Sequence, residues 1–229
     1  MLFKRLFPTL FKSLVFRPIP AFATGKILAA HDIPMKTYVE MSWAISSCHN
    51  CKMMADILKS NLSQTSDYQL SFAIYWIYNN ELELDEHFYN TIVPIVKEFV
   101  KKMDKESNKT LAEIISYMGW MQVQDDSLWS LFEQKLIAER LYRYISVDQL
   151  IDVTSGISAA NRGNPALFDV LEKVFIKHRL ALNGDKAEVI RKAFEDRKLG
   201  SNLLFKVLEN PRAEGEFKEE KIALEHSKH

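Results

Sequence analysis

Large apolar residues recur along this chain at a nearly constant step. Leu128-Trp129 opens one helical stretch, and Leu167-Phe168 opens the next 39 positions on. Phe88 precedes Trp129 by 41, and Phe205 follows Phe168 by 37. The intervening stretches carry a second set in register. Leu70, Leu111 and Leu150 lie 41 and 39 apart; Ala73, Ile114 and Val153 share those steps, as do Ile77, Met118 and Ile157. A helix pair that buries its stripe against the next pair needs the same positions apolar each time, so a fixed step of this size predicts stacked helical hairpins. The expected fold is all-α: an α-solenoid of about five stacked helical pairs with a period of 37–41 residues, occupying residues 35–211.

Turn-forming residues are scarce, with 7 Gly and 7 Pro in 229 residues, which favours long helices over a many-stranded sheet. Helices are expected over about 36–47, 51–62, 68–79, 85–103, 110–122, 126–142 and 146–160, after Asn164, and over 186–198 and 203–209. Ser146 with Gln149 three positions later reads as a capping box, and Asn164-Pro165 as a cap followed by a proline at the first helical position. Pro94 lies inside the 85–103 stretch and predicts a kink there. Gly184-Asp185 and Gly200-Ser201-Asn202 read as breaks between helices, and 212–229 as a charged tail.

Residues 1–34 have a different character. No Asp or Glu precedes Asp32, while Lys4, Arg5, Lys12, Arg17 and Lys26 are interleaved with Leu2, Phe3, Leu6, Phe7, Leu10 and Phe11 at helical spacing. A cationic, acid-free amphipathic segment is the composition of a mitochondrial targeting sequence, or of an arm that lies on a partner or a membrane surface. Lys12 and Arg17 break the apolar run that a secretory signal requires. No uncharged run of about 18 apolar residues occurs, so a transmembrane helix is not expected.

The segments Leu111–Trp129 (LAEIISYMGWMQVQDDSLW) and Leu150–Phe168 (LIDVTSGISAANRGNPALF) resemble the degenerate repeats of organelle helical-repeat proteins, the octotricopeptide-repeat and FAST-kinase-like families. The resemblance is one of apolar spacing and covers roughly residues 36–210. It implies a helical-repeat fold, a mitochondrial or chloroplast setting, and RNA as a partner. The basic excess that RNA binding leads one to expect is absent, since 30 basic residues balance 30 acidic ones.

Few residues suggest chemistry. Cys48-His49-Asn50-Cys51 has the spacing of a redox pair or half a zinc site, but no strand precedes it and no second pair of ligands has a supporting spacing. Two inert thiols in a helix turn are expected. Arg140, Arg143, Arg162, Lys173, Lys177, His178 and Arg179 form a possible basic partner or RNA patch, diluted by Glu133, Glu139, Asp152, Asp169 and Glu172. Trp43, Trp76, Trp120 and Trp129 with Tyr75, Tyr78 and Tyr117 are expected in the core. Glu81, Glu83, Asp85 and Glu86 lack the order and glycine of a calcium loop. No phosphate-binding glycine loop, G-x-S-x-G or H-E-x-x-H is present.

The expectation is therefore a non-enzymatic accessory subunit with no cofactor. It would act as a protein-protein scaffold in a mitochondrial respiratory-chain complex, ATP synthase or ribosome, in the matrix or at the inner membrane. The alternative is a mitochondrial RNA-binding or RNA-processing factor.

Overall fold

The computed structural model describes residues 38–211; the arm expected over 1–34 and the tail expected over 212–229 lie outside the described residues. Among the described residues there are ten α-helices and no strand: α1 Tyr38–Ser46, α2 Cys51–Ser60, α3 Asp67–Asn79, α4 Val93–Lys102, α5 Asn108–Trp120, α6 Asp126–Ile137, α7 Val147–Ala159, α8 Pro165–Lys177, α9 Gly184–Asp196 and α10 Asn202–Glu209. The odd-numbered helices pack in succession, α1 on α3, α3 on α5, α5 on α7 and α7 on α9. The even-numbered helices do the same from α4 to α10, while α2 packs on the π-helical turn Phe88–Ile92 that leads into α4. No helix among these residues is long and apolar enough to cross a membrane.

The positions set in register by the sequence are the ones that meet between helices. Leu70, Ala73 and Ile77 on α3, Leu111, Ile114 and Met118 on α5, and Leu150, Val153 and Ile157 on α7 are all buried. Ala187, Ile190 and Phe194 continue the series on α9, 37 positions further. The central helices are covered on two sides, and their small residues allow this. A methyl group added at Gly119 would lie 2.3 Å from the backbone of Gly156, and one at Gly156 would lie 2.8 Å from the Ser116 carbonyl oxygen. Main chain therefore meets main chain where α5 crosses α7. The polar side chains buried nearby bond locally: Ser116 and Thr154 donate to carbonyls four residues back, and Ser158 donates to Ala193 on α9.

The turns joining α3, α5, α7 and α9 to the next helix share one backbone design. Glu81, Gln122, Asn161 and Lys198 each adopt φ between 53° and 56°. The following N–H then reaches back five residues: Leu82 to Ile77 (3.0 Å), Val123 to Met118 (3.1 Å), Arg162 to Ile157 (2.9 Å) and Leu199 to Phe194 (2.9 Å). This left-handed termination satisfies carbonyls that a helix end leaves open. Three or four residues beyond the left-handed position, Asp85, Asp125, Asn164 and Ser201 each accept a backbone N–H with a side-chain oxygen and start the next helical segment.

Several boundaries differ from the sequence expectation. The stretch expected as one helix over 85–103 contains the π turn Phe88–Ile92, in which Val93 N–H bonds to the Phe88 carbonyl. Pro94 has no N–H to give to residue 90 and its ring would crowd that carbonyl, so the widened turn just before it takes the place of a sharp kink. The helix expected to run from 126 to 142 ends at Ile137. Arg140 takes a left-handed φ of 58°, and a short 3-10 turn, Leu141–Arg143, carries Leu141 into the core. Gly184-Asp185 is the first turn of α9, capped by Asn183, and is no break. Ser66-Gln69 forms a second capping box beside the expected one at Ser146-Gln149.

Candidate interaction surface

The aromatic residues divide into two groups. Trp129 is buried and its indole N–H donates to the Val123 carbonyl at 2.8 Å. Trp76 donates to the Cys48 carbonyl at 3.0 Å and Trp120 to Ser155 Oγ at 3.2 Å, so each ties neighbouring elements together from a half-buried position. Trp43 differs: it is 67% exposed on α1, beside Tyr38 at 51% and Val39 at 65%. The core expectation fails for Trp43 because the buried stripe of α1 consists of Met41, Ala44 and Ile45, and Trp43 falls on the opposite side.

From this exposed edge an aromatic band crosses three helices. Tyr38 stacks near Tyr68 on α3, with ring centroids 5.8 Å apart. Phe72 contacts Tyr75 and Trp76. Tyr75 and Tyr78 then meet Tyr117 on α5 at 5.5 and 5.6 Å, and Tyr78 meets Trp120 at 5.5 Å. Spacings of this size fall in the attractive range for tilted rings, so the band ties α1, α3 and α5 together, with Tyr117 buried and the rings around it half-buried. Carboxylates border it. Glu113 accepts from Ser71 at 3.0 Å. Burial and then Glu113, Tyr75 and Asp152 push the Tyr117 phenol upward, which places Asp152 beside the band. Burial and then Asp148 push the Asp152 carboxyl up to about 7.

The residues singled out as a basic patch have divided roles. Arg162 is held by Asp126 at 2.6 Å and Gln124 at 3.1 Å, joining the start of α8 to the start of α6. Arg143 lies over the Tyr142 ring, 5.8 Å from its centroid. Arg140 is exposed in its left-handed turn, Lys173 and Lys177 are exposed on α8, and Arg179 is partly buried in the 3-10 turn Arg179–Ala181. The expected arm residues Lys4, Arg5, Lys12 and Arg17 lie outside the described residues.

Cys48 and Cys51 are free thiols buried in the turn between α1 and α2. Burial pushes both up to about 12, which leaves negligible thiolate at neutral pH. Asp85 of the acidic run caps Phe88 N–H and Glu81 ends α3, so that run is part of the turn. Among the described residues no group of three or more His, Cys, Asp or Glu could hold a metal ion.

Sequence reasoning missed the band because its members are i, i+3 and i+4 neighbours on α3 that resemble a core stripe. The signal was excess: α3 carries Tyr68, Phe72, Tyr75, Trp76 and Tyr78 beyond the Leu70, Ala73 and Ile77 stripe that its neighbours need. No family model and no curated protein matches the chain.

Proposed function

We propose that this protein is a non-catalytic structural subunit of a large mitochondrial assembly, in which an α-solenoid of about five helical pairs holds partner proteins. The observation that carries this reading is the exposed apolar edge formed by Tyr38, Val39 and Trp43 on α1 with Tyr68 on α3, which half-buried rings of α3 and α5 back from the core side. Large apolar side chains exposed together mark a protein-binding surface, and aromatic rings supply much of the energy in such contacts. The helix contacts between alternate elements support the solenoid, since each pair then buries its stripe against the next. The acid-free, basic segment 1–31 supports the mitochondrial setting. Neutral net charge and the pairing of Arg162 with Asp126 favour protein over RNA as the partner.

The test is a tagged pull-down from gently solubilised mitochondria, with and without ribonuclease, comparing wild type with Trp43→Ala. Stoichiometric recovery of one set of protein subunits, insensitive to ribonuclease and reduced for Trp43→Ala, is the expected result. Loss of every partner on ribonuclease treatment would replace this reading with an RNA-processing role.

A further inference from the structure

We infer that the cavity at the start of α5 binds a small organic oxyanion, a carboxylate or a phosphate monoester, through Lys105, Lys135 and Asn108. The cavity has a volume of about 380 Å³ and lies where α5 begins, α4 ends and α6 turns into the 3-10 segment. This size suits a small molecule with an apolar body. Leu111 and Leu141 supply apolar wall, and the Tyr144 ring stands at one side.

Two buried side chains in this wall, Lys135 and Asn108, have donor capacity left over. Lys135 is 6% exposed, and its ammonium donates to the Met103 carbonyl and to Glu139, both at 2.9 Å. An ammonium has three N–H bonds, so one remains. Asn108 is 8% exposed, and its side-chain nitrogen is buried without a hydrogen-bond partner. A buried donor left in that state is costly unless an acceptor reaches it. The Lys105 ammonium lies 5.3 Å from the centre of the Tyr144 ring. Glu139 and Asp104 also line the wall; the Lys135 ammonium pairs with Glu139 at 2.9 Å, and Asp104 Oδ1 accepts the Glu106 N–H at 2.9 Å.

The helix start adds to this. Asn108 is the first residue of α5, and the Ser107 side chain provides no cap; its hydroxyl donates to Asp67 on α3. The first-turn N–H groups therefore lack the side-chain acceptor that Asp125, Asn164 and Ser201 supply elsewhere. An uncapped helix start carries partial positive charge and favours an anion. Two lysines, an unpaired carboxamide and this helix end converge on one cavity, and an oxyanion with an apolar body complements all of them.

The experiment uses the full chain and titrates phenyl phosphate, benzoate and inorganic phosphate calorimetrically. Phenyl phosphate or benzoate is expected to bind with a Kd below about 1 mM and more tightly than inorganic phosphate. Which of the two wins assigns the headgroup. Lys135→Met risks unfolding, so the deciding variants are Lys105→Glu and Asn108→Asp, checked by circular dichroism for retained helix. Each is expected to weaken binding by about tenfold or more. Absence of binding by both organic ligands at about 10 mM, or wild-type affinity in both folded variants, would overturn the inference.

Discussion

Asp152 and Asp125 illustrate how two carboxylates of one type come to act oppositely on stability. Burial, then Asp148, raises Asp152 from 3.8 to about 7 in the folded chain. Between those values the folded state holds a proton that the unfolded state has lost. Stability therefore falls as pH rises from about 4 to about 7, and levels off above. Asp152→Asn removes that penalty, so its melting temperature should exceed that of wild type at pH 8 and match it near pH 4. Asp125 runs the other way. Burial raises it, but hydrogen bonds from Lys97, Leu128 N–H and Ser127 together with the Lys97 charge outweigh that and leave it lowered. Its contribution is present above the unfolded value and is lost as pH falls through the folded one. Packing at Gly119 is a matter of space alone. Gly119→Ala forces a methyl group into the Gly156 backbone and is expected to cost about 3 kcal/mol in urea unfolding. Gly184→Ala meets nothing within 4 Å and should stay within about 1 kcal/mol of wild type.

At the scale of elements, the recurring unit is the turn as much as the helix. Glu81, Gln122, Asn161 and Lys198 repeat the left-handed termination at steps of 41, 39 and 37, the same steps as the apolar stripes. A side chain other than glycine in that conformation is strained. Gln122→Gly should therefore stabilise the fold by about 1 kcal/mol, measurable as a shift in the urea midpoint with an unchanged slope. The caps that follow are gripped by the preceding even-numbered helix. Lys97 on α4 holds Asp125 at 2.8 Å, Glu133 on α6 accepts from Asn164 at 2.8 Å, and Glu172 on α8 accepts from Ser201 N–H at 3.0 Å. The charge of the gripping residue follows the cap, a lysine for the aspartate and glutamates for the groups that donate. Asn164→Ala loses both the cap of α8 and the bond to Glu133, and should cost about 1–2 kcal/mol.

Among the described residues as a whole, contacts between alternate helices dominate, because α1, α3, α5, α7 and α9 meet in order and the even-numbered helices largely follow. In the proposed solenoid, stability is close to a sum of interfaces between stacked neighbours. The middle, where α5 and α7 are covered on two sides, should then exchange its amide hydrogens last. Helices α1 and α10, each at one end of the described region, should exchange first. Uniform protection from α1 to α10 in a hydrogen-exchange time course would contradict the proposed solenoid.

Reading the residues alone was enough to establish that 38–211 is helical, where most of those helices lie and which stripes are buried. These follow from local periodicity and from a step that repeats whenever one helix must match the next. Leu70, Leu111 and Leu150 were legible for that reason, as were the capping box at Ser146 and the cap at Asn164. The rest came from packing, because it depends on what stands opposite a residue. Trp43 has the composition of a core residue, yet it lies outward since Met41, Ala44 and Ile45 already fill the contact with α2 and α3. Lys135 reads as a surface lysine in an amphipathic helix, yet it is buried because the end of α4 presents the Met103 carbonyl to it. Arg140 gives no sign of ending a helix, but burying Leu141 requires the chain to turn there. Periodicity reports which face of a helix is buried, and the partner across the interface decides how far and against what.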